Sequence, residues 1–381
     1  MNKTVRLGIL GMGTMGRYHA GKILSEGVNN LRLTAVCDTV ADLSADFPDL
    51  KRFSDPDAFF ASGEVDAVLI ATPHYLHTEL GIRALGAGLH VLVEKPISVH
   101  KADCERLLAA HTDPNLVFAA MLNMRTVGLY RKVKELLVNG DIGKVFRITW
   151  TVTDWFRSQA YYDSGGWRGT WKGEGGGVLL NQCPHQLDLW QWLFGMPQRV
   201  TSVIGIGRHH TLEVEDDVTA LLEYEDGATG VFITSTGEAP GVNRLEISGD
   251  HGKLTIENGS IRFQRLRSSL KEFTKESKSR MDPPECWDIT VPYTATQNQH
   301  LHIIKNFADA IVDQVPLLAP ASEGMKSVEL GNAMLLSGLK REQVTLPMDG
   351  AAFEALLESL IAESASKTTA VPNKACLEKG F

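Results

Sequence analysis

Val5-Arg6-Leu7-Gly8-Ile9-Leu10 runs straight into Gly11-Met12-Gly13-Thr14-Met15-Gly16, and this junction decides the fold of the first third of the chain. A short apolar run that reads as a strand meets three glycines in G-x-G-x-x-G spacing, and a helical pattern over Met15–Ser25 follows. In that context each glycine has a mechanical role. Gly11 permits a tight turn, Gly13 lets the backbone approach a pyrophosphate, and Gly16 lets helix and strand pack closely. The start of the helix offers N–H groups and the positive end of its dipole to the phosphates. The stretch therefore reads as a dinucleotide site, with Gly11, Gly13, Thr14, Met15 and Gly16 in the cradle.

Working outward, residues 1–122 continue the same alternation. Further apolar runs at Leu33–Cys37, Ala67–Ala71, His90–Val93 and Val117–Met121 are separated by helical patterns at Leu76–Ala87 and Lys101–His111. Ala67-Val68-Leu69-Ile70-Ala71 is apolar throughout, as a strand covered on both faces should be. The expectation is a doubly wound parallel sheet, a Rossmann α/β domain. After a helix at Gly128–Val138 the character changes. Strand patterns at Val145–Thr153, Val200–Gly207, Val218–Tyr224, Thr229–Ser235, Arg244–Ser248 and Lys253–Glu257 predict a large, mostly antiparallel open sheet. Glu225-Asp226-Gly227 and Gly249-Asp250-His251-Gly252 read as hairpin turns. A helix over roughly Val178–Phe194 interrupts the strands, and two more are expected at Leu301–Val312 and Ser322–Ser337. Arg265–Arg280 reads as a polar surface excursion. The division expected is 1–122 for the NAD-binding domain, 123–364 for an α+β substrate-binding and oligomerisation domain, and 365–381 as a loose tail.

Composition narrows the functional classes. The chain has 381 residues, 43% hydrophobic and 22% charged, the balance of a two-domain globular protein. A net charge of −8 argues against a general nucleic-acid binder. No apolar run approaches the length of a membrane span, and no signal-peptide pattern precedes the first strand. Five cysteines without C-x-x-C spacing read as reduced thiols, and the expected location is cytoplasmic. His209-His210 and the His74/His77 pair lack companions with ligand spacing, so no metal is expected.

The strand Leu33–Cys37 ends at Asp38, 22 residues beyond Gly16. A carboxylate there can accept both ribose hydroxyls of NAD and repel the 2′-phosphate of NADP. The alternative is that Asp38 caps the helix after it. Ala71-Thr72-Pro73-His74-Tyr75-Leu76-His77 and Glu94-Lys95-Pro96 follow the next strands, at the sheet end where ligands bind. Lys95 there is an anion anchor or a proton-transfer group. In Gly175-Gly176-Gly177-Val178-Leu179-Leu180-Asn181-Gln182-Cys183-Pro184-His185-Gln186-Leu187-Asp188, Asn181 and His185 share a face if the segment is helical. Asp188 is placed to orient His185. Between strand and glycines, Asp154-Trp155-Phe156-Arg157, Tyr161-Tyr162 and Trp167-Arg168-Gly169-Thr170-Trp171 interleave aromatics with arginine, which suits a pocket for a polyhydroxylated ring better than a core.

The glycine fingerprint, Glu94-Lys95-Pro96 and the triple-glycine/His185 segment, in this order, resemble the Gfo/Idh/MocA family, to which glucose–fructose oxidoreductase and inositol dehydrogenases belong. The resemblance runs over roughly residues 5–350 and extends to Asn306-Phe307, Glu323-Gly324 and Val344-Thr345-Leu346-Pro347. It implies NAD as cofactor and a secondary alcohol of a sugar, sugar derivative or cyclitol as substrate. Lys95 and His185 would flank the carbinol, one of them taking the hydroxyl proton, with Asn181 as the third member of the catalytic set. Asn123 and Arg125 sit where family members contact the nicotinamide end, and Trp167-Arg168 matches a common pair. Ala71, Thr72, Pro73, His74, His77, Glu94, Lys95, Asn123, Arg125, Trp167 and Arg168 join the cofactor site on this reading. Lys95, Arg125, Asp154, Trp155, Tyr161, Trp167, Arg168, Asn181 and His185 form the substrate site. The family usually carries Asp at the position of Asn181, and an amide cannot act as a base. Two other readings stay open: a reductase of another carbonyl substrate, and a non-catalytic sugar sensor, since the family includes galactose-sensing regulators. The alternating strands of the second domain suggest a homodimer or homotetramer built through its sheet.

Overall fold

The computed structural model describes residues 4–40 and 47–364, so the tail expected at 365–381 lies outside the described residues. The chain folds as two compact units. One holds the described residues up to Val127 together with Thr296–Val328; the other holds Gly128–Ala295 and the described residues from Glu329 onward.

In the first unit, β1 (Val5–Leu10), α1 (Thr14–Glu26), β2 (Leu31–Cys37), β3 (Lys51–Phe53), α2 (Pro56–Phe60), β4 (Ala67–Ile70), α3 (Tyr75–Gly86), β5 (His90–Val93), α4 (Lys101–Ala109) and β6 (Phe118–Ala120) follow in order. The six strands are parallel and lie in the order β3-β2-β1-β4-β5-β6. That is the doubly wound order, with the reversal beside β1 where the glycine loop begins. β4 is buried at every position, which is why it carries no alternation. The sequence reading omits β3 and α2. Lys51-Arg52-Phe53 is a three-residue edge strand with two exposed charges and no apolar period to detect.

The segment Thr296–Val328, assigned by chain order to the second domain, belongs to the first unit. Ile303, Ile304, Phe307 and Ala308 of α10 (Gln299–Asp313) join the same core as β1 and β5. The apolar stripe of α10 was legible; the core that receives it was not.

The second unit contains α5 (Gly128–Val138), β7 (Val145–Val152), α6 (Gln159–Asp163), α7 (Trp171–Glu174), α8 (Pro184–Phe194), β8 (Arg199–Ile206), β9 (Glu215–Glu223), β10 (Thr229–Ser235), β11 (Asn243–Gly249), β12 (Gly252–Glu257), β13 (Ser260–Leu266), α9 (Leu270–Glu276), β14 (Cys286–Val291), β15 (Val344–Thr345) and α12 (Gly350–Glu363). The unit boundary falls within α11 (Ala321–Lys340). Nine strands form one sheet in the order β14-β13-β12-β11-β7-β10-β9-β8-β15. Every pairing is antiparallel except β7 with β10, so the sheet is mixed at its centre. Both hairpin turns join antiparallel neighbours as read. One face is covered: Trp150, Trp190 and Phe232 are fully buried, with Trp150 and Trp190 stacked at 6.4 Å. Arg265–Arg280 is partly structured, ending β13 and then forming α9, none of whose residues is buried.

One helix boundary is corrected. The helix expected from Val178 begins only at Pro184, so Asn181 lies in the turns before it. The physical cause is Pro184 itself. Its missing N–H and fixed φ suit the first helical position, and it disfavours helical backbone at Cys183.

Candidate functional site

The first unit builds a nucleotide cradle at the carboxyl ends of its strands. Gly11 has φ +93°, and a Cβ there would stand 2.8 Å from the Ala71 and Thr72 backbone. Gly16 is equally constrained, since a Cβ would lie 1.9 Å from the Gly11 carbonyl oxygen. Gly13 differs from both. A Cβ on it would meet nothing among the described residues within 4 Å, and its φ of −68° is open to any residue. Open space at Gly13 faces the start of α1, whose cap supplies no side-chain hydrogen bond and whose first turn has no acidic residue. Free donors, a dipole end and room for a phosphate fit the pyrophosphate of a dinucleotide. Thr14 and Met15 begin the helix at this point.

Asp38, half-buried after β2, accepts the Met12 N–H through Oδ2 at 2.6 Å and the Val40 N–H through Oδ1 at 2.8 Å. It thus pins the glycine loop from the neighbouring strand. The residues that would form a helix after it, 41–46, lie outside the described residues.

Ala71 leaves β4 with its N–H on the Leu10 carbonyl, and Thr72-Pro73-His74 leads into α3. His77 is fully buried and ties two of the motifs: Nδ1 lies 2.8 Å from the Pro96 carbonyl and Nε2 2.8 Å from that of Thr72. Burial pushes its pKa down, outweighing the two carbonyls and Glu94, which favour the charged ring. A neutral ring donates to one of them only. His77 thus joins the Thr72 and Pro96 segments through two backbone carbonyls.

Glu94, at the end of β5, is 5% exposed. Its Oε1 accepts from His19 Nε2 at 2.6 Å and its Oε2 from the Lys95 N–H at 3.0 Å. Burial alone would raise the carboxyl. The hydrogen bond from His19 and the charges of His19, His300 and Lys95 outweigh it and bring it down to about 2. Burial, with His19 and Lys95 nearby, holds His300 at about 4 against the pull of Glu94. His300 is therefore neutral at pH 7. His19 and His300 escaped sequence reasoning. One faces inward from α1 and the other comes from α10, more than 200 residues away along the chain.

Asn123 and Arg125 sit in a buried 3-10 turn, Asn123–Thr126. Asn123 Nδ2 stands 3.5 Å from His300 Nδ1, and its buried Oδ1 has no hydrogen-bond partner among the described residues. The Arg125 guanidinium is tied to the Leu318 carbonyl at 3.2 Å and to Glu323 at 3.4 Å. It serves the interior of its own unit.

In the second unit, the stretch after β7 forms a ladder of rings and guanidinium groups. Arg157 lies over Trp155 (5.7 Å) and Tyr161 (5.1 Å); Arg168 lies over Tyr161 and Trp167, both at 4.4 Å, and donates to the Tyr161 hydroxyl. Asp154 is exposed and Trp167 is 44% exposed, whereas Tyr162 and Trp171 are core residues. The aromatic stretch thus divides between an open polar–aromatic surface and an anchor beneath it. The indole N–H of Trp155 is buried with no hydrogen-bond partner among the described residues.

The triple-glycine turn is held by two carboxylates that sequence reasoning missed. Glu215 accepts the Gly177 N–H at 2.8 Å and the Leu179 N–H at 3.0 Å. Glu174 accepts the Gly169 N–H at 2.6 Å and the side-chain amide of Asn181. Burial, with Glu174 adding to it, pushes Glu215 up to about 7 despite those N–H bonds. Both Asn181 and His185 are half-buried. Asp188, expected to orient His185, accepts from Gln191 at 3.0 Å. His209-His210 is likewise explained locally, His210 Nδ1 facing Asp216 at 2.9 Å and Nε2 the Arg157 carbonyl at 2.8 Å.

Comparison with known proteins agrees with this geometry. Residues 5–121 match the profile of the oxidoreductase family with an NAD-binding Rossmann fold, and residues 130–255 match the GFO/IDH/MocA C-terminal domain. The chain is 26% identical over 275 residues to myo-inositol 2-dehydrogenase of Thermotoga maritima, spanning 67% of this chain and 75% of that one. It is 25% identical over 353 residues to inositol 2-dehydrogenase of Rhizobium meliloti, spanning 90% and 99%. Among solved structures it resembles the WlbA dehydrogenase of Bordetella pertussis in complex with NADH and UDP-GlcNAcA, at 25% identity and a TM-score of 0.76, over 91% of this chain and all of that one. No helix among the described residues is long and apolar enough to cross a membrane. A glycine cradle with room for a pyrophosphate, a strand-end carboxylate and two matched family profiles lead to one conclusion: this chain is an NAD-binding oxidoreductase of the Gfo/Idh/MocA family.

Proposed function

We propose that the protein is an NAD-dependent dehydrogenase that oxidises a secondary hydroxyl of a sugar, sugar derivative or cyclitol. The observation that carries the reading is the segment from Glu174 to Gln191, where every residue is buried except Asn181 and His185. A closed wall that leaves open one amide and one imidazole offers a hydroxyl a hydrogen-bonding partner and a base. NAD, when bound, supplies the hydride acceptor. Lys95, on the strand end beside the cradle, is the anion-stabilising cation for the developing alkoxide. His185 takes the hydroxyl proton. The Trp155–Arg157–Tyr161–Arg168–Trp167 ladder presents ring faces and N–H donors suited to a polyhydroxylated ring. The two inositol dehydrogenases among its relatives support a cyclitol as one candidate.

Asp38 favours NAD over NADP, because a 2′-phosphate would face its carboxylate. The uncovered face of the nine-stranded sheet supports assembly into a homodimer or homotetramer. Val203 is 70% and Leu221 42% exposed there, on neighbouring strands. The direct test is NADH absorbance on incubation with NAD and a panel of inositols, sugars and sugar acids. Turnover of at least one polyol is expected. Tight NAD binding with no turnover would replace this reading by the sensor, and sedimentation as a monomer would remove the assembly.

A further inference from the structure

Glu174 is 1% exposed and accepts from two N–H donors: the Gly169 backbone through Oε2 and the Asn181 side-chain nitrogen through Oε1. A carboxylate only accepts, so this contact fixes which way the amide points. Its nitrogen turns to Glu174, and Oδ1 lies on the opposite side of the group. Asn181 is one of the two residues that the buried segment leaves open.

We propose that Glu174 is a positioning residue that sets Asn181 to present Oδ1, a neutral acceptor, to a substrate hydroxyl. The proposal rests on the polyol dehydrogenase reading. It makes Asn181 a reader of a hydroxyl hydrogen rather than a proton carrier, and leaves proton removal to His185. It also accounts for an amide rather than a carboxylate at 181. Glu174 and Glu215 already put two carboxylates around this turn, and each raises the cost of charge on the other. A third at 181 would face Glu174 directly, as an acceptor with nothing to donate. A chain that carries Glu174 therefore works best with a donor at 181.

The test is a cycle of Glu174→Gln, Asn181→Asp and the double exchange in the full chain, read by thermal unfolding at pH 8 and by kinetics with NAD and myo-inositol. Asn181→Asp should lower the melting temperature by about 5 °C or more, and the double exchange, which restores one amide and one carboxylate, should recover at least about half of that. An unshifted Asn181→Asp, or a double variant that gains nothing or does not fold, overturns the pairing. Glu174→Gln lets the amide turn over. It should raise KM roughly tenfold with kcat within about threefold, and the double exchange should bring KM back. An unchanged KM in Glu174→Gln, or no recovery in the double exchange, overturns the positioning role, because a merely structural loss would not be reversed by moving the carboxylate. If the wild type turns over neither myo-inositol nor any other polyol, the dehydrogenase reading falls and the substrate half of this proposal with it. The unfolding cycle still decides whether Glu174 holds Asn181.

Discussion

His19 Nε2 lies 2.6 Å from Glu94 Oε1, with both side chains closed off from solvent. Through this contact the helix that follows the glycine loop is tied to the residue before Lys95, whose own N–H binds the same carboxylate at 3.0 Å. The cofactor cradle and the candidate catalytic lysine therefore share one buried anchor.

Removing one member of such a pair leaves the other buried and uncompensated, so Glu94→Ala should cost roughly 3–5 kcal/mol in urea unfolding. The sign of its pH dependence follows from a folded pKa held below the ordinary 4.5. The stabilisation is present above about 4.5 and is lost as pH falls toward 2. Glu94→Gln should lack that acid-side loss; an acid titration matching the wild type would remove Glu94 from this role.

The glycines separate fold from ligand. Gly16→Ala drives a Cβ into the Gly11 carbonyl and should cost roughly 1–3 kcal/mol or more of stability. Gly13→Ala meets no atom of the described residues within 4 Å and should leave thermal stability within about 1 kcal/mol of wild type. Yet NAD affinity, measured by calorimetry, should fall at least about tenfold. Equal NAD affinity in Gly13→Ala would move the pyrophosphate elsewhere.

Asp38→Ala removes both the expected ribose acceptor and the tether on Met12. Loss of charge-assisted hydrogen bonds should weaken NAD by about 10- to 100-fold and narrow the preference over NADP. Fluorescence titration with the two cofactors reads this directly, and an unchanged ratio would exclude Asp38 from the choice.

Lys95→Met keeps the stem and deletes the charge. Turnover should drop by about 10²–10⁴-fold while NAD binding changes less than about threefold. Retained turnover would assign the cation role to another residue.

Glu215 gives the opposite pH signature to Glu94. Its folded pKa, about 7, stands above the ordinary 4.5, so its contribution is complete below about 4.5 and is lost as pH rises through about 7. The loss should amount to about 3 kcal/mol. Glu215→Gln should flatten this slope in urea unfolding across that range, at the cost of one N–H bond to the glycine turn. A slope surviving the substitution would point to another group.

Much of the architecture was legible because its signals are local. Gly11-x-Gly13-x-x-Gly16 after an apolar run marks a strand, a turn and a helix within a dozen neighbouring residues. β4 and β5 announce themselves by unbroken apolar runs, and the hairpin turns by glycine and aspartate. Asn181 failed as a helical residue because periodicity carries through Pro184, whereas the backbone cannot.

By itself the sequence determined the doubly wound N-terminal sheet, the glycine cradle and its acidic strand end, since each depends on residues close in the chain. Only the tertiary structure decided which groups hold them. His300 reaches the His19–Glu94 pair from α10, Asp38 clasps Met12 across two strands, and Glu215 caps the glycine turn from β9. These partners were invisible because a buried carboxylate or imidazole leaves no periodic trace. Its position is set by which distant side chain satisfies its charge once water is gone.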